Sequence, residues 1–159
     1  MIEYQKKGTF LQAYNQINER FNSIFTKLTG GGKGWLQLQD SEDPFNGGLD
    51  IFVQFPGKSS RLITGASGGE KSVTAVSFIF SIQNLFPAPF YILDEIDAHL
   101  DPFNAEKLSD LLKEQSIDSQ FILISLRDVL IESAERIFGL YVQNGISRFV
   151  SVKLAEVKV

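Results

Sequence analysis

Apolar residues recur at Phe10, Tyr14, Ile17, Phe21, Ile24 and Leu28, in alternating steps of four and three, and this spacing predicts one helix over about residues 9–28 with an apolar seam. Such a seam serves either core packing or the end of a coiled coil, and it is shorter than the roughly three to four heptads that mark a coiled coil outright. Gly30-Gly31-Gly32-Lys33-Gly34 then ends the helix. A phosphate loop of the form G-x-x-x-x-G-K-[ST] follows a strand and opens a helix. This run instead follows a helix and precedes the strand-like Trp35-Leu36-Gln37-Leu38-Gln39, so a flexible turn is expected.

Asp43-Pro44-Phe45-Asn46-Gly47-Gly48 is turn chemistry, and Leu49 to Phe55 alternates as a strand does until Pro56-Gly57 closes it, which predicts a small β-hairpin. Val73, Val76, Ile79, Phe80 and Ile82 predict a largely buried helix from Val73 to Leu85, stopped by Pro87 and Pro89. Phe90 to Leu93 and Phe121 to Ile124 are short continuous apolar runs, which predict buried strands. Between them Asp101-Pro102 marks a helix start, N-cap and then first-turn proline, with Leu108, Leu111 and Leu112 inward. Val129 to Ala134 reads as a short helix, and Ile137 to Val142 and Phe149 to Leu154 as strands around a turn at Asn144-Gly145. The alternation of strand and helix predicts an α/β fold with a mixed, largely parallel sheet, flanking helices and a small hairpin.

Composition adds bounds. With 159 residues and 43% hydrophobic content the chain suits one domain with a real core. Its net charge of −4 gives no global attraction to nucleic acid or to an acidic membrane, so any polyanion contact is local or supplied by a partner. Lys58, Arg61 and Lys153 are scattered cations of a solvated surface rather than a DNA track. The absence of cysteine excludes disulfides, thiolate metal sites and cysteine nucleophiles, and a cytosolic location is the default expectation. Residues 1–7 contain no apolar stretch of signal-peptide type, and the most apolar stretch, Val73 to Leu93, is broken by Gln83, Asn84, Pro87 and Pro89, so neither a signal peptide nor a membrane span is expected.

Two segments carry candidate chemistry. Ser67-Gly68-Gly69-Glu70 stands ahead of an apolar helix as S-x-x-E, the pattern of a plain capping box. A capping box does not need Gly68-Gly69, and glycine in a helix costs up to about 1 kcal/mol per residue. Unfavourable glycines at a helix start let backbone N–H groups approach a phosphate, where the helix dipole favours negative charge. About two dozen residues on, Phe90-Tyr91-Ile92-Leu93 delivers Asp94-Glu95 to the C-terminal end of a strand, where open α/β sheets place their ligands. One acid there can hold Mg²⁺ and the next can orient water, against the plainer alternative of a solvated loop. Asp101 is read as an N-cap in either case. His99 is the only histidine, so a histidine-pair metal site and a Ser-His-Asp triad are excluded as leading readings, and His99 is assigned to the loop surface.

Taken together, Ala66-Ser67-Gly68-Gly69-Glu70-Lys71-Ser72, Phe90 to Glu95 and Asp97 to Asp101 resemble the signature motif (66–72), Walker B motif (90–95) and D-loop (97–101) of ABC-type ATPases. Leu93-Asp94-Glu95-Ile96-Asp97-Ala98-His99-Leu100-Asp101, Pro87-Ala88-Pro89-Phe90-Tyr91 and the hairpin with Asp43-Pro44-Phe45 are similar to the C-terminal half of an SMC (structural maintenance of chromosomes) head, from about Phe10 to Leu154. The resemblance implies one domain, 1–159, the C-terminal lobe of an ABC-type ATPase head, with about 1–28 as the helix emerging from the coiled coil. It implies that Asp94 holds Mg²⁺, that Glu95 is the catalytic base, that Ser67, Gly68, Gly69 and Glu70 form the signature turn on the γ-phosphate of ATP held by an opposing head, and that Asp101 sits at the dimer seam. It implies as partners the N-terminal lobe with its P-loop, a second head, a kleisin subunit, and DNA through the assembled complex, on the chromosome in the cytoplasm.

Two departures stand out. The chain has no Walker A loop, so the fragment alone is expected to be inactive as an ATPase. The place of the switch histidine of ABC enzymes is held by Leu126. Competing readings are the coiled-coil ABC ATPase of DNA double-strand-break repair and a transporter nucleotide-binding domain, which usually carries glutamine at the Glu70 position. A non-enzymatic alternative is a kleisin-binding interaction module, since strands near the C-terminus of SMC heads resemble a surface for a winged-helix domain.

Overall fold

Helix α1 (Ile2–Thr29) is longer than its apolar seam, because Gln5, Lys6 and Lys7 are good helix formers that extend it beyond the first apolar position. The computed structural model describes residues 2–154, with side chains from residue 5 on; residue 1 and residues 155–159, the two ends of the expected 1–159 unit, lie outside the described residues. The seam divides in two. Phe21, Ile24, Phe25 and Leu28 are in the core. Phe10 and Tyr14 instead lie over the hairpin, with the Phe10 and Phe45 rings 5.3 Å apart and the Tyr14 hydroxyl donating to the Leu36 carbonyl at 2.7 Å.

Gly30 and Gly31 stop α1 in the left-handed region, at φ 67° and 117°, with the Gly31 N–H donating to the Thr26 carbonyl at 2.9 Å. That is a Schellman-type cap, so the glycine run is an ordered helix end rather than a flexible turn. It is no phosphate loop: a Cβ on Gly34 would come within 2.8 Å of the Phe21 ring, so this glycine lets strand β1 pack directly on α1. Strands β1 (Lys33–Leu38), β2 (Leu49–Gln54) and β3 (Arg61–Leu62) form an antiparallel sheet in that order, with Trp35 opposite Phe52 and their rings stacked at 5.4 Å.

Helix α2 (Gly68–Gln83) buries Val73, Val76 and Phe80 against the core. Ile79 and Ile82, expected inside, are exposed. The inward face is completed by Thr74, Ser77 and Ser81, whose hydroxyls donate to carbonyls of their own helix, Ser77 to Val73 at 2.8 Å and Thr74 to Glu70 at 2.6 Å. Satisfied this way, small hydroxyl residues pack like apolar ones, and this displaces the face relative to an isoleucine count.

Strand β4 (Phe90–Asp94), helix α3 (Pro102–Gln115) and strand β5 (Gln120–Ile124) make a β-α-β unit, parallel in register from Phe90↔Gln120 to Asp94↔Ile124. Leu108, Leu111 and Leu112 of α3 are buried as expected, and Tyr91, Leu93, Phe121 and Leu123 turn toward the core. The expectation of two wholly buried strands fails on the other face: Phe90, Ile92, Ile122 and Ile124 are exposed, Ile92 by 61%. Helix α4 (Asp128–Glu132) follows, with Leu130 buried. Strands β6 (Arg136–Gln143) and β7 (Ile146–Lys153) close as a hairpin over Asn144 (φ 53°) and Gly145 (φ 74°), the two left-handed positions of a type I′ turn. The α/β class therefore holds, but among the described residues the β4–β5 pair is parallel and the other two sheets are antiparallel rather than largely parallel as expected, because short loops join their successive strands.

Candidate functional site

The start of α2 is a complete capping box. Ser67 is extended (φ −67°, ψ 167°), its Oγ accepts from the Glu70 N–H at 3.4 Å, and Glu70 Oε2 accepts from the Ser67 N–H at 2.8 Å. The Ser67 N–H holds the Glu70 carboxyl below the ordinary carboxylate range; partial burial opposes this, and Lys58, with Nζ 3.0 Å from Oε1, supports it. Lys58, read from sequence as a scattered cation, is thus part of the turn.

The two glycines of the turn differ. A Cβ on Gly69 would meet the His99 carbonyl oxygen at 3.1 Å, so the loop after β4 approaches closely there and accounts for this glycine. A Cβ on Gly68 would meet nothing within 4 Å, and Gly68 has no positive φ. Among the described residues no contact explains a glycine at 68. Ser67 and Gly68 are both exposed, so the start of a 16-residue helix is open to the outside, with the Glu70 N–H taken by the Ser67 cap.

Asp94 ends β4 and Glu95 follows it, both exposed. Among the described residues neither carboxylate takes part in a hydrogen bond or ion pair. Glu95 sits at φ 48°, a left-handed conformation that costs a non-glycine residue about 1–3 kcal/mol. The bend is held by the Glu95 N–H donating to the Ile124 carbonyl at 2.9 Å and by the Ala98 N–H donating back to the Glu95 carbonyl at 3.0 Å.

The following loop is pinned from β5. Asp97 is buried, 2% exposed, and its Oδ2 accepts from Ser125 Oγ at 2.7 Å with Arg127 Nε 3.5 Å away. Arg127 also donates through Nε to the Asp97 carbonyl at 3.1 Å and through Nη2 to the carbonyls of Ala98 and Leu100. Sequence reading missed this; its one signal was an aspartate at 97 flanked by the apolar Ile96, Ala98 and Leu100. Asp101 caps α3, accepting from the Asn104 N–H at 2.7 Å. His99 is on the exposed loop, and Leu126 projects 91% exposed.

The geometry thus gives two separate chemical edges within one chain: the α2 turn, which offers donors, and the β4 end, which offers acids. The close approach of His99 to Gly69 links them, and no hydrogen bond or ion pair among the described residues joins Asp94 or Glu95 to residues 67–70. No group of three or more His, Asp or Glu side chains able to hold a metal occurs among the described residues. A single exposed carboxylate such as Asp94 fits Mg²⁺, which keeps waters and takes its remaining ligands from phosphates. Among the described residues no helix is long and apolar enough to cross a membrane.

Comparison with known proteins is consistent across sequence and structure. The family model described as RecF/RecN/SMC N terminal domain matches residues 12–148. The chromosome partition protein Smc of Pyrococcus furiosus is 48% identical over 155 residues, which are 98% of this chain and 13% of that protein. The Smc head domain of P. furiosus with an extended coiled coil, bound to the C-terminal domain of ScpA, superposes with a TM-score of 0.91 at 47% identity, over 96% of this chain and 38% of the other. A chain from work on ATP-driven dimerization and DNA-stimulated activation of SMC ATPases superposes at 0.85 with 46% identity, over 92% of this chain and 89% of that one. An α2 turn and a β4 end that neither meet nor close a site, in a chain spanning 13% of its Smc relative, are what one part of a larger head looks like: the chain belongs to the SMC family and is part of an SMC head.

Proposed function

We propose that this chain is the C-terminal half of an SMC ATPase head, which completes an ATP site only together with an N-terminal P-loop lobe and a second head. The observation that carries the reading is Gly68, a glycine standing in open space at a capped helix start where nothing among the described residues requires one. A phosphate approaching from another head would use that space, and the Ser67 hydroxyl and the free N–H groups of the turn would be its donors. Glu70 acts on the turn from behind by holding Ser67. At the other edge Asp94 would hold Mg²⁺, which would supply positive charge against the transferring phosphoryl group. Glu95 would accept the proton of the attacking water, from a left-handed bend in the backbone at the end of β4. Asp101, at the start of α3 beside this loop, lies at the seam between heads. The family and the ATP-driven pairing named for one related structure support this assignment.

The same reading extends to ATP-dependent head pairing and hydrolysis in chromosome partition, with DNA contacted through the assembled complex at the chromosome. A second role is favoured by the β6–β7 hairpin, which leaves Phe138, Leu140, Val142 and Phe149 exposed: a surface for a kleisin of the ScpA kind, the partner in the related P. furiosus structure. The SMC assignment displaces the transporter and break-repair alternatives.

The test is Glu95→Gln in the full protein that carries this chain. Nucleotide binding is expected to persist, head dimers to become long-lived and turnover to fall by about two orders of magnitude or more. Hydrolysis at the wild-type rate would remove Glu95 from its role.

A further inference from the structure

We propose that Arg127 is the positioning residue of the 97–101 loop, setting from the end of β5 the orientation in which that loop meets a second head. The inference rests on the reading of the chain as half of a pairing ATPase head. Its geometry is separate from the acids and the turn already described. Arg127 donates to the main-chain carbonyls of Asp97, Ala98 and Leu100, so it reads the course of the loop backbone rather than any one side chain. Its own main chain is held in turn, the Arg127 N–H donating to Ser125 Oγ at 3.0 Å, and the same hydroxyl donates to Asp97 Oδ2 at 2.7 Å. Asp97 Oδ1 is buried without a partner. The buried carboxylate therefore depends on Ser125 and Arg127, while Leu100 anchors the C-terminal end of the loop in the core.

The position matters because of what the loop touches. The Glu95 N–H bonds the Ile124 carbonyl, which joins the candidate base to the end of β5. Arg127 lies three residues beyond that carbonyl and grips the loop, and the His99 carbonyl within the gripped segment lies close enough to Gly69 in the α2 turn that a Cβ there would meet it at 3.1 Å. One side chain thus connects the acidic edge with the donor edge of the same head, and these edges serve opposite nucleotides once two heads pair. A planar guanidinium with several N–H donors in a fixed fork can hold several carbonyls at once; an ammonium cannot match that geometry.

The experiment uses the full protein with Arg127→Ala and Arg127→Lys, measuring single-head nucleotide affinity, ATP-dependent head pairing, kcat, KM and melting temperature. Arg127→Ala is expected to lower pairing and kcat by about tenfold or more while KM and single-head affinity stay within about twofold. Arg127→Lys keeps a charge beside Asp97 but not the fork, and is expected to recover only a minor part of the loss. Wild-type pairing and turnover in Arg127→Ala would overturn the proposal. Full rescue by lysine, or a loss that follows nucleotide affinity or melting alone, would overturn it as well. If the alanine variant does not fold, the lysine variant decides: reduced pairing at wild-type melting supports the proposal, and unchanged pairing overturns it. Wild-type heads that do not pair with ATP would defeat the reading of the whole head and this inference with it. Pairing wild-type heads with an unaffected Arg127→Ala would defeat this inference alone.

Discussion

The helical side of the molecule and its strand side both carry large apolar residues, and these end in opposite states. Where α1, α2 and α3 meet, Phe21, Phe25, Leu28, Phe80 and Leu108 are fully enclosed. On the strand side, the outer face of β4–β5 and most of β6–β7 stand open: Leu140 is 83% exposed and Phe149 71%. Single exposed apolar residues are ordinary, whereas contiguous ones mark an interaction surface. A two-stranded hairpin is at best marginal alone in water. The lesson is that this chain carries one finished core and one surface whose apolar character is matched to something outside it.

The comparison breaks most visibly in the finished half. Phe25→Ala removes a fully buried ring between Phe21 and Phe55 and is expected to cost about 3–5 kcal/mol, read by denaturant unfolding. A loss under about 1 kcal/mol would mean that the core can collapse around the gap and is not the closed unit described.

A smaller effect is expected at the α2 turn. Glu70→Ala should lower stability by about 1 kcal/mol at neutral pH, by loss of the reciprocal cap. Because the folded-state pKa of Glu70 is lowered, its stabilisation is present above the ordinary glutamate pKa and is lost as pH falls through the folded value. The difference between wild type and variant should therefore shrink on acidification into and below the carboxylate range. A difference independent of pH would remove the Glu70 charge from the account.

The smallest effect on stability is expected on the open side. Leu140→Ser in this chain should change unfolding free energy by no more than about 0.5 kcal/mol while raising solubility. A cost comparable with that of Phe25→Ala would show that the hairpin is already covered in this chain and erase the contrast.

The finished half was largely legible in the sequence. Phe21, Ile24 and Leu28, the leucines of α3 and the Asp101 cap all follow from local periodicity and capping chemistry, which a single chain satisfies by itself, as does the Asn144-Gly145 turn on the open side. On the open side, the outer face of β4–β5 was misread as buried because a continuous apolar strand says only that both faces avoid water, not which molecule covers them. Phe90 and Ile92 look the same in sequence as Leu93, which is inside. Of the candidate site, the capping box and the placement of Asp94 and Glu95 were legible, since each lies within a few residues of chain. The hold of Arg127 on the 97–101 loop was not, because it joins positions up to 30 residues apart. Nor was the division between Gly68 and Gly69, which depends on where His99 comes to rest.

The Ser67 cap has a consequence for the choice of that residue. A hydroxyl offers two lone pairs and one proton. Capping uses a lone pair, toward the Glu70 N–H, and among the described hydrogen bonds the proton is given to no acceptor. Aspartate would cap the helix equally well and would have no proton left at neutral pH, only a second negative oxygen facing outward. The helix cap and the proposed anion contact would therefore draw on different atoms of one side chain, and serine has atoms for both.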